Sequence, residues 1–196
     1  MGQLSFYSAE AAPPALGDLA GLLCAHGRLT GFGRGTAASV SVELAERWRA
    51  HALATACAEL GVRTRLGWSE RGRTVLGSPF RTDLTGLAEA WSRGGAKRVP
   101  ASFTLDGRAL RVWALAAGRW QGPAYALGLD PDAPETHDPL LGVLTAAGLA
   151  ATVIAASDGE PALRVTGRRR LARLAELVGP VPSGAAAAEW PARPGD

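Results

Sequence analysis

The chain has 196 residues, 47% of them hydrophobic and 20% charged, enough to bury one core and ordinary for a folded domain. A net charge of +3 and an isoelectric point near 9.4 permit a polyanionic partner and exclude histone-like charge density. Lys97 is the only lysine, and arginine supplies the rest of the positive charge alongside 25 glycines; arginine abundance alone therefore reflects composition rather than function.

Residues 1–14 end in two alanines and two prolines and read as a mobile tail. No basic segment followed by an apolar core opens the chain, and no apolar run reaches membrane-spanning length, so a cytoplasmic protein is expected. Leu16 to His26 reads as an apolar helix of small residues, with Asp18 in its first turn, where a carboxylate suits the helix dipole. Gly27, Gly31, Gly33 and Gly35 mark a hairpin region, and Ser39 to Leu44 alternates as a half-buried strand. A helix from Arg47 to Leu60 stops at Gly61. Val62–Trp68 and Arg73–Phe80 read as strands around the polar turn Ser69–Gly72. Thr82 or Asp83 then caps a helix carrying Leu84, Leu87 and Trp91 on one face.

Residues 96–107 form a connector, after which the order recurs. Ala109–Ala117 is an apolar helix and Tyr125–Leu129 a strand. A helix from Glu135 to Ala147 has Pro134 suited to its first turn. Ala151–Ala155 and Ala162–Val165 are strands, and a last helix, Arg168–Val178, ends at Gly179-Pro180. The triplet Arg168–Arg170 falls on its exposed side, and residues 180–196, rich in Pro, Gly and Ala, read as a disordered second tail. Cys24 and Cys57 lie in apolar helices without metal-type spacing and are expected to be buried thiols.

The recurrence extends to individual residues. Gly61 and Gly148 are separated by 148 − 61 = 87 positions, and at that separation Gly72 meets Gly159, Leu76 meets Leu163 and Arg81 meets Arg168. Leu84, Leu87, Ala88 and Glu89 meet Leu171, Leu174, Ala175 and Glu176. Gly27 and Gly118 are separated by 91, because the loop after the first helix is longer in the first half. The chain is thus two αββαββα repeats, residues 15–95 and 108–179.

The helix that opens each repeat carries a signature. Asp18-Leu-Ala-Gly-Leu-Leu-Cys-Ala-His-Gly27 resembles the LAGLIDADG motif of homing endonucleases, and Leu110-Arg-Val-Trp-Ala-Leu-Ala-Ala-Gly118 is a weaker copy. The resemblance implies an α+β fold in which antiparallel sheets form a saddle with the helices on one side. Two motif helices packed at the pseudo-twofold axis need small contact residues, which Ala20, Gly21, Cys24 and Ala25 supply against Ala109, Ala116 and Ala117. A single chain holding both halves is expected to be monomeric. In character the protein is similar to the N-terminal domain of WhiA-type bacterial regulators, although it is not expected to continue into their helix-turn-helix domain.

In active members of that family the last acid of the motif holds a divalent metal against the scissile phosphate, chemistry that needs hard oxygen ligands. Here those positions are His26 and Ala117, so no catalytic residue, metal or cofactor is implied. Asp18, Glu43 and Asp106 are the available acids for a nuclease with relocated ligands. No nucleophile elbow, phosphate-binding P-loop, H-E-x-x-H or dinucleotide fingerprint is present, and Gly31-Phe-Gly-Arg-Gly35 reads as a hairpin loop. The acids near His137, in Asp130-Pro-Asp-Ala-Pro-Glu135, read as a solvated, proline-rich approach to a helix.

What remains is a surface for double-stranded DNA. Arg28, Arg34, Arg63, Arg65, Arg71, Arg73, Arg119 and Arg164 fall at strand and turn positions, with Lys97 and Arg98 in the connector. Arg63 and Arg65 lie two apart and share one face of their strand. Such residues neutralise phosphates without reading sequence; the alternative is a solvated arginine face on an interaction or scaffold protein. At the N-terminus Gln3-Leu-Ser-Phe-Tyr7 resembles the bacterial sliding-clamp-binding peptide, with Gln3, Leu4, Phe6 and Tyr7 as its contact residues.

Overall fold

A computed structural model describes residues 8–10, 13–155 and 160–191. The clamp-type residues Gln3, Leu4, Phe6 and Tyr7 lie outside them. The first half runs α1 (Ala20–Cys24), β1 (Arg28–Phe32), β2 (Ala37–Leu44), α2 (Arg47–Glu59), β3 (Arg65–Trp68), β4 (Thr74–Gly77) and α3 (Thr85–Trp91). A short hairpin, β5 (Ser92–Arg93) and β6 (Ala96–Lys97), follows. The second half runs α4 (Gly107–Ala117), β7 (Gly118–Gln121), β8 (Ala124–Gly128), α5 (His137–Ala146), β9 (Ala151–Ala155), β10 (Pro161–Val165) and α6 (Arg168–Val178). Each half is therefore αββαββα. Two four-stranded antiparallel sheets have the same strand order, β1-β2-β4-β3 and β7-β8-β10-β9.

Local chemistry accounts for most boundaries. Gly61, at φ 70°, ends α2 with the Val62 N–H donating to the Cys57 carbonyl (2.8 Å), a left-handed cap that glycine adopts without strain. The Asp106 side chain accepts the Ala109 N–H (2.8 Å) and starts α4 two residues before the expected position. Thr82 and Asp83 do not cap α3. A 3-10 turn, Thr82–Leu84, leads into it, and Asp83 instead takes a two-pronged ion pair from Arg81 at 2.9 and 2.6 Å. The first helix is also shorter than its apolar run, because a 3-10 turn over Leu16–Leu19 precedes α1 and the chain turns after Cys24.

The core lies between the sheets' inner faces and the helices. Val40, Val42 and Leu44 of β2 meet Leu76 of β4, and Tyr125, Leu127, Leu163 and Val165 do the same in the second sheet. At the centre α1 packs on α4. A Cβ on Gly21 would stand 2.1 Å from the Ala109 carbonyl oxygen and 2.7 Å from the Trp113 nitrogen, so the two backbones touch there, as the small-residue pattern requires. Arg49 ties the halves together. This buried side chain of α2 donates to the carbonyls of Ala114 (3.3 Å), Leu115 (2.9 Å) and Gly118 (2.6 Å), the negative end of α4. Cys24 and Cys57 are buried free thiols, and desolvation pushes Cys57 up to about 12.

The chain's ends depart from expectation where they are described. Trp190 is 2% exposed, and its indole donates to the Gly179 carbonyl (3.0 Å) while its own carbonyl accepts from Trp120 (3.3 Å). The end of this segment is therefore anchored at Trp190, although residues 180, 181, 183, 184, 187 and 188 are exposed. Ala9 is likewise buried, its N–H donating to the Leu177 carbonyl (2.8 Å). Among the described residues no helix is long and apolar enough to cross a membrane.

Candidate nucleic-acid interface

Residues paired across antiparallel strands point to the same side of the sheet. In the first sheet the side away from the helices carries Arg28 and Thr30 of β1, Ser39, Ser41 and Glu43 of β2, Val75 and Gly77 of β4, and Arg65 and Gly67 of β3. One row reads Arg28, Ser41, Gly77, Arg65 across the four strands, so arginines stand on both edges with small residues between them. Arg63 precedes β3 instead of lying within it, because the strand starts only at Arg65; it is exposed, as are Arg65 and Arg71. Arg34 is exposed at the β1–β2 turn with φ 57°, the one left-handed position outside glycine among the described residues.

The corresponding row of the second sheet reads Arg119, Ala126, Arg164, Thr152. Both arginines are half-buried. Arg119 Nη2 and Arg164 Nε, like Arg73 Nε in the first half, are cut off from solvent without a hydrogen-bond acceptor among the described residues.

Between the sheets lies a cleft of about 330 Å³, lined by His26, Arg28, Glu43, Arg73, Asp130 and Glu160 among others. Acids and bases alternate in it. Arg28 pairs with Asp132, and Arg73 stands 3.7 Å from Glu43 and 3.8 Å from Glu160, so two first-half arginines reach second-half carboxylates. Lys97 is not a free surface cation. The two-glycine turn Gly94-Gly95 folds the β5–β6 hairpin back, and Lys97 donates to the Ala25 carbonyl (2.6 Å) and to Asp130 (2.9 Å). Burial lowers the Lys97 pKa and Asp130 opposes that shift. Asp130 is correspondingly not a solvated acid; it is buried, accepts the Asp132 N–H (3.1 Å) and has its carbonyl bonded by His137 Nε2 (2.8 Å). Arg98 is exposed on the connector and does not line the cleft.

The first motif's end opens on this cleft. His26 follows α1, and its Nε2 donates to the Glu43 carbonyl; desolvation holds the imidazole below its usual pKa, so it is neutral. Ala117 ends α4 beside Gly128 and offers no ligand atom. Asp18 accepts the Ala15 N–H (3.0 Å) and Asp106 caps α4, so both are spent at the opposite ends of the motif helices. Among the acids considered for a relocated site, only Glu43 reaches the cleft, where Arg73 faces it. Among the described residues no group of three or more His, Cys, Asp or Glu side chains is arranged to hold a metal ion. An imidazole committed to a carbonyl and an alanine do not fit the hard divalent cation that the motif position holds in nucleases.

The architecture defines a LAGLIDADG-like fold, and solved structures match it over most of the chain. The homing endonuclease I-WcaI bound to its DNA recognition sequence aligns with TM-score 0.60 at 12% identity, covering 91% of this chain and 83% of that one. The N-terminal LAGLIDADG domain of DUF199/WhiA aligns with TM-score 0.55 at 14% identity, covering 84% and 82%. Full-length DUF199/WhiA from Thermatoga maritima aligns with TM-score 0.57 at 14% identity over 83% of this chain, which spans about half (54%) of that protein. No protein-family description and no curated protein matches the chain by sequence.

Proposed function

We propose that the protein is a non-catalytic LAGLIDADG-like DNA-binding protein of bacterial DNA maintenance or transcriptional regulation. The observation that carries this reading is the first sheet's outer side, where exposed Arg65 stands with Arg63 and Arg71 beside it and Arg28 at the opposite edge is shared with Asp132. Exposed guanidinium groups on one sheet face neutralise backbone phosphates and release counterions. I-WcaI, of the same fold, is bound to its DNA recognition sequence, which supports the same kind of ligand here. The non-catalytic part rests on His26 and Ala117, which leave the motif ends without carboxylates.

Fluorescence anisotropy of the full chain with duplex DNA across a salt series is the test. Affinity falls linearly with salt on a double-logarithmic plot if phosphate contacts dominate. Absence of binding at low salt overturns the reading and leaves a scaffold protein of the same fold. Supercoiled plasmid stays intact with magnesium or manganese; cleavage by a clean preparation, lost on Glu43→Gln, overturns the non-catalytic part. The N-terminal peptide is proposed as a tether to the sliding clamp on a monomeric protein. Gln3→Ala with Leu4→Ala then abolishes clamp capture, and unchanged capture removes the tether.

A further inference from the structure

The second sheet carries a feature that general phosphate neutralisation does not explain. Arg119 and Arg164 are the cross-strand neighbours of Ala126, one on each side, on strands roughly 10 Å apart. The floor beneath them consists of small residues: Ala126 and Ala162 are fully buried, and Gly128 is buried with Arg119 Nη1 at 3.6 Å from where its Cβ would stand. A side chain at Gly128 would press on the Arg119 guanidinium. In the row itself Thr152 is uncharged, and among the described residues neither arginine forms an ion pair. Arg119 Nη2 and Arg164 Nε, both screened from water, have no acceptor among them. Two like charges rooted on either side of one small residue, each with a donor left unmade, is an arrangement that an oxyanion completes.

We propose that Arg119 and Arg164 form a two-arginine clip for a single phosphate group. Without the anion Arg119 lies over Gly128 and both arginines are half-buried; with it they rise by rotation about their own bonds and close on the oxyanion from both sides. Planar guanidinium groups suit this task because each presents paired donors to two oxygens at once. The inference deepens the DNA reading, on which it rests for its natural occupant, a backbone phosphate. A phosphorylated small molecule carries the same group, and the experiment separates the two.

The thermal midpoint of the full chain is measured in sodium phosphate, sulfate and chloride at equal ionic strength. Phosphate and sulfate raise it in a saturable way and chloride does not. Arg119→Gln and Arg164→Gln each remove most of the increment, while Arg169→Gln, on the exposed side of α6, keeps it. In the unaltered protein, titrating phosphate shifts two arginine Nε–H resonances in nitrogen-15 spectra, a readout independent of how the variants fold. A midpoint that does not distinguish phosphate from chloride overturns the clip, as does the full increment in the double variant. Duplex DNA supplies the second arm. If it binds and the double variant lowers the salt slope by about 0.9, one backbone phosphate occupies the clip. If DNA does not bind while the phosphate increment persists and needs both arginines, the clip stands on a small phosphorylated ligand and the DNA reading falls. If DNA binds with an unchanged slope and no phosphate increment exists, the clip falls and the DNA reading stands on the first sheet.

Discussion

The two sheets share strand order and differ in where one row places its charge. In the first, Arg28 and Arg65 occupy the edge strands with Ser41 and Gly77 between them; in the second, Arg119 and Arg164 occupy alternate strands around Ala126. The positions correspond in sequence, since 152 − 65 = 87, 164 − 77 = 87 and 119 − 28 = 91. Two arginines per row are conserved in number while one moves from an edge strand to an inner one. Arg28 and Arg65 are exposed and act at long range, whereas Arg119, though also on an edge strand, and Arg164 are half-buried and act on what reaches them. Equal charge on equal scaffolds thus yields a diffuse basic flank in one half and a local clip in the other.

The largest effect is expected where both sheets depend on one contact. Gly21 lets α1 touch the α4 backbone, and a methyl group there has no room, so Gly21→Ala costs about 3 kcal/mol or more through overpacking. Chemical denaturation reads this directly; a loss within about 0.5 kcal/mol would mean the helices separate freely and the shared axis does not fix the sheets. Both rows should lose function together in this variant, because neither can keep its position once the helices part.

Next comes the first sheet's flank. Arg63→Ala with Arg65→Ala lowers the salt slope of duplex binding by about 2, one contact each, uniformly across DNA sequences. The converse change, Thr152→Arg, gives the second sheet the edge arginine that its counterpart has and raises the slope by about 1. If the double alanine variant leaves the slope unchanged, the asymmetry between the sheets has no bearing on phosphate binding.

Much of this organisation is legible in the sequence, for physical reasons that vary with the element. β9 and α6 begin and end where their patterns say, because Ala151–Ala155 is apolar between breakers and Arg168–Val178 alternates charge with leucine up to Gly179. β1 and β7 are hard to delimit, since one carries Gly31 and runs into Gly33 and the other is only four residues, Gly-Arg-Trp-Gln. The packing of Trp190 is invisible beneath its Pro/Ala/Gly surroundings. At the site, strand and turn arginines can be nominated from sequence, but their partners cannot. Lys97 and Asp130 are 33 residues apart, and only the fold of the β5–β6 hairpin turns an expected surface lysine into an internal counter-ion. Arg28 and Asp132, 104 residues apart, are the same case on the surface. No local periodicity carries such pairings.

A smaller effect follows from that surface pair. Asp132 occupies Arg28 in the way a phosphate would, and its charge repels the DNA backbone as well. Both members are exposed, so the pair contributes only about 0.2–1 kcal/mol. Asp132→Asn therefore tightens duplex binding by up to about fivefold at low salt, and the gain shrinks as salt rises. Weaker binding in this variant would mean that Asp132 holds Arg28 in position for DNA instead of competing with it.

The smallest effect concerns the cleft between the sheets and has a definite sign. His26 is held neutral by desolvation; the Glu43 carbonyl it bonds, with Glu160 and Asp130, pulls its pKa back up, and Arg73 pushes it down. The net shift is downward, so the unfolded chain, whose histidine titrates near 6.5, binds a proton before the folded one does. Stability contributed by this group is complete above about pH 6.5 and is lost as pH falls toward the lowered folded value. Thermal midpoints from pH 7.5 down to 5.5 should decline, and His26→Gln, which keeps a donor for the Glu43 carbonyl without a titrating ring, should flatten part of that decline. Carboxylates protonating lower on the scale leave the same background in both proteins, so the difference between the two curves isolates the imidazole. A difference that grows as pH rises would reverse the sign and place a charged His26 in the folded cleft, making the motif end cationic where the first sheet's arginines already gather.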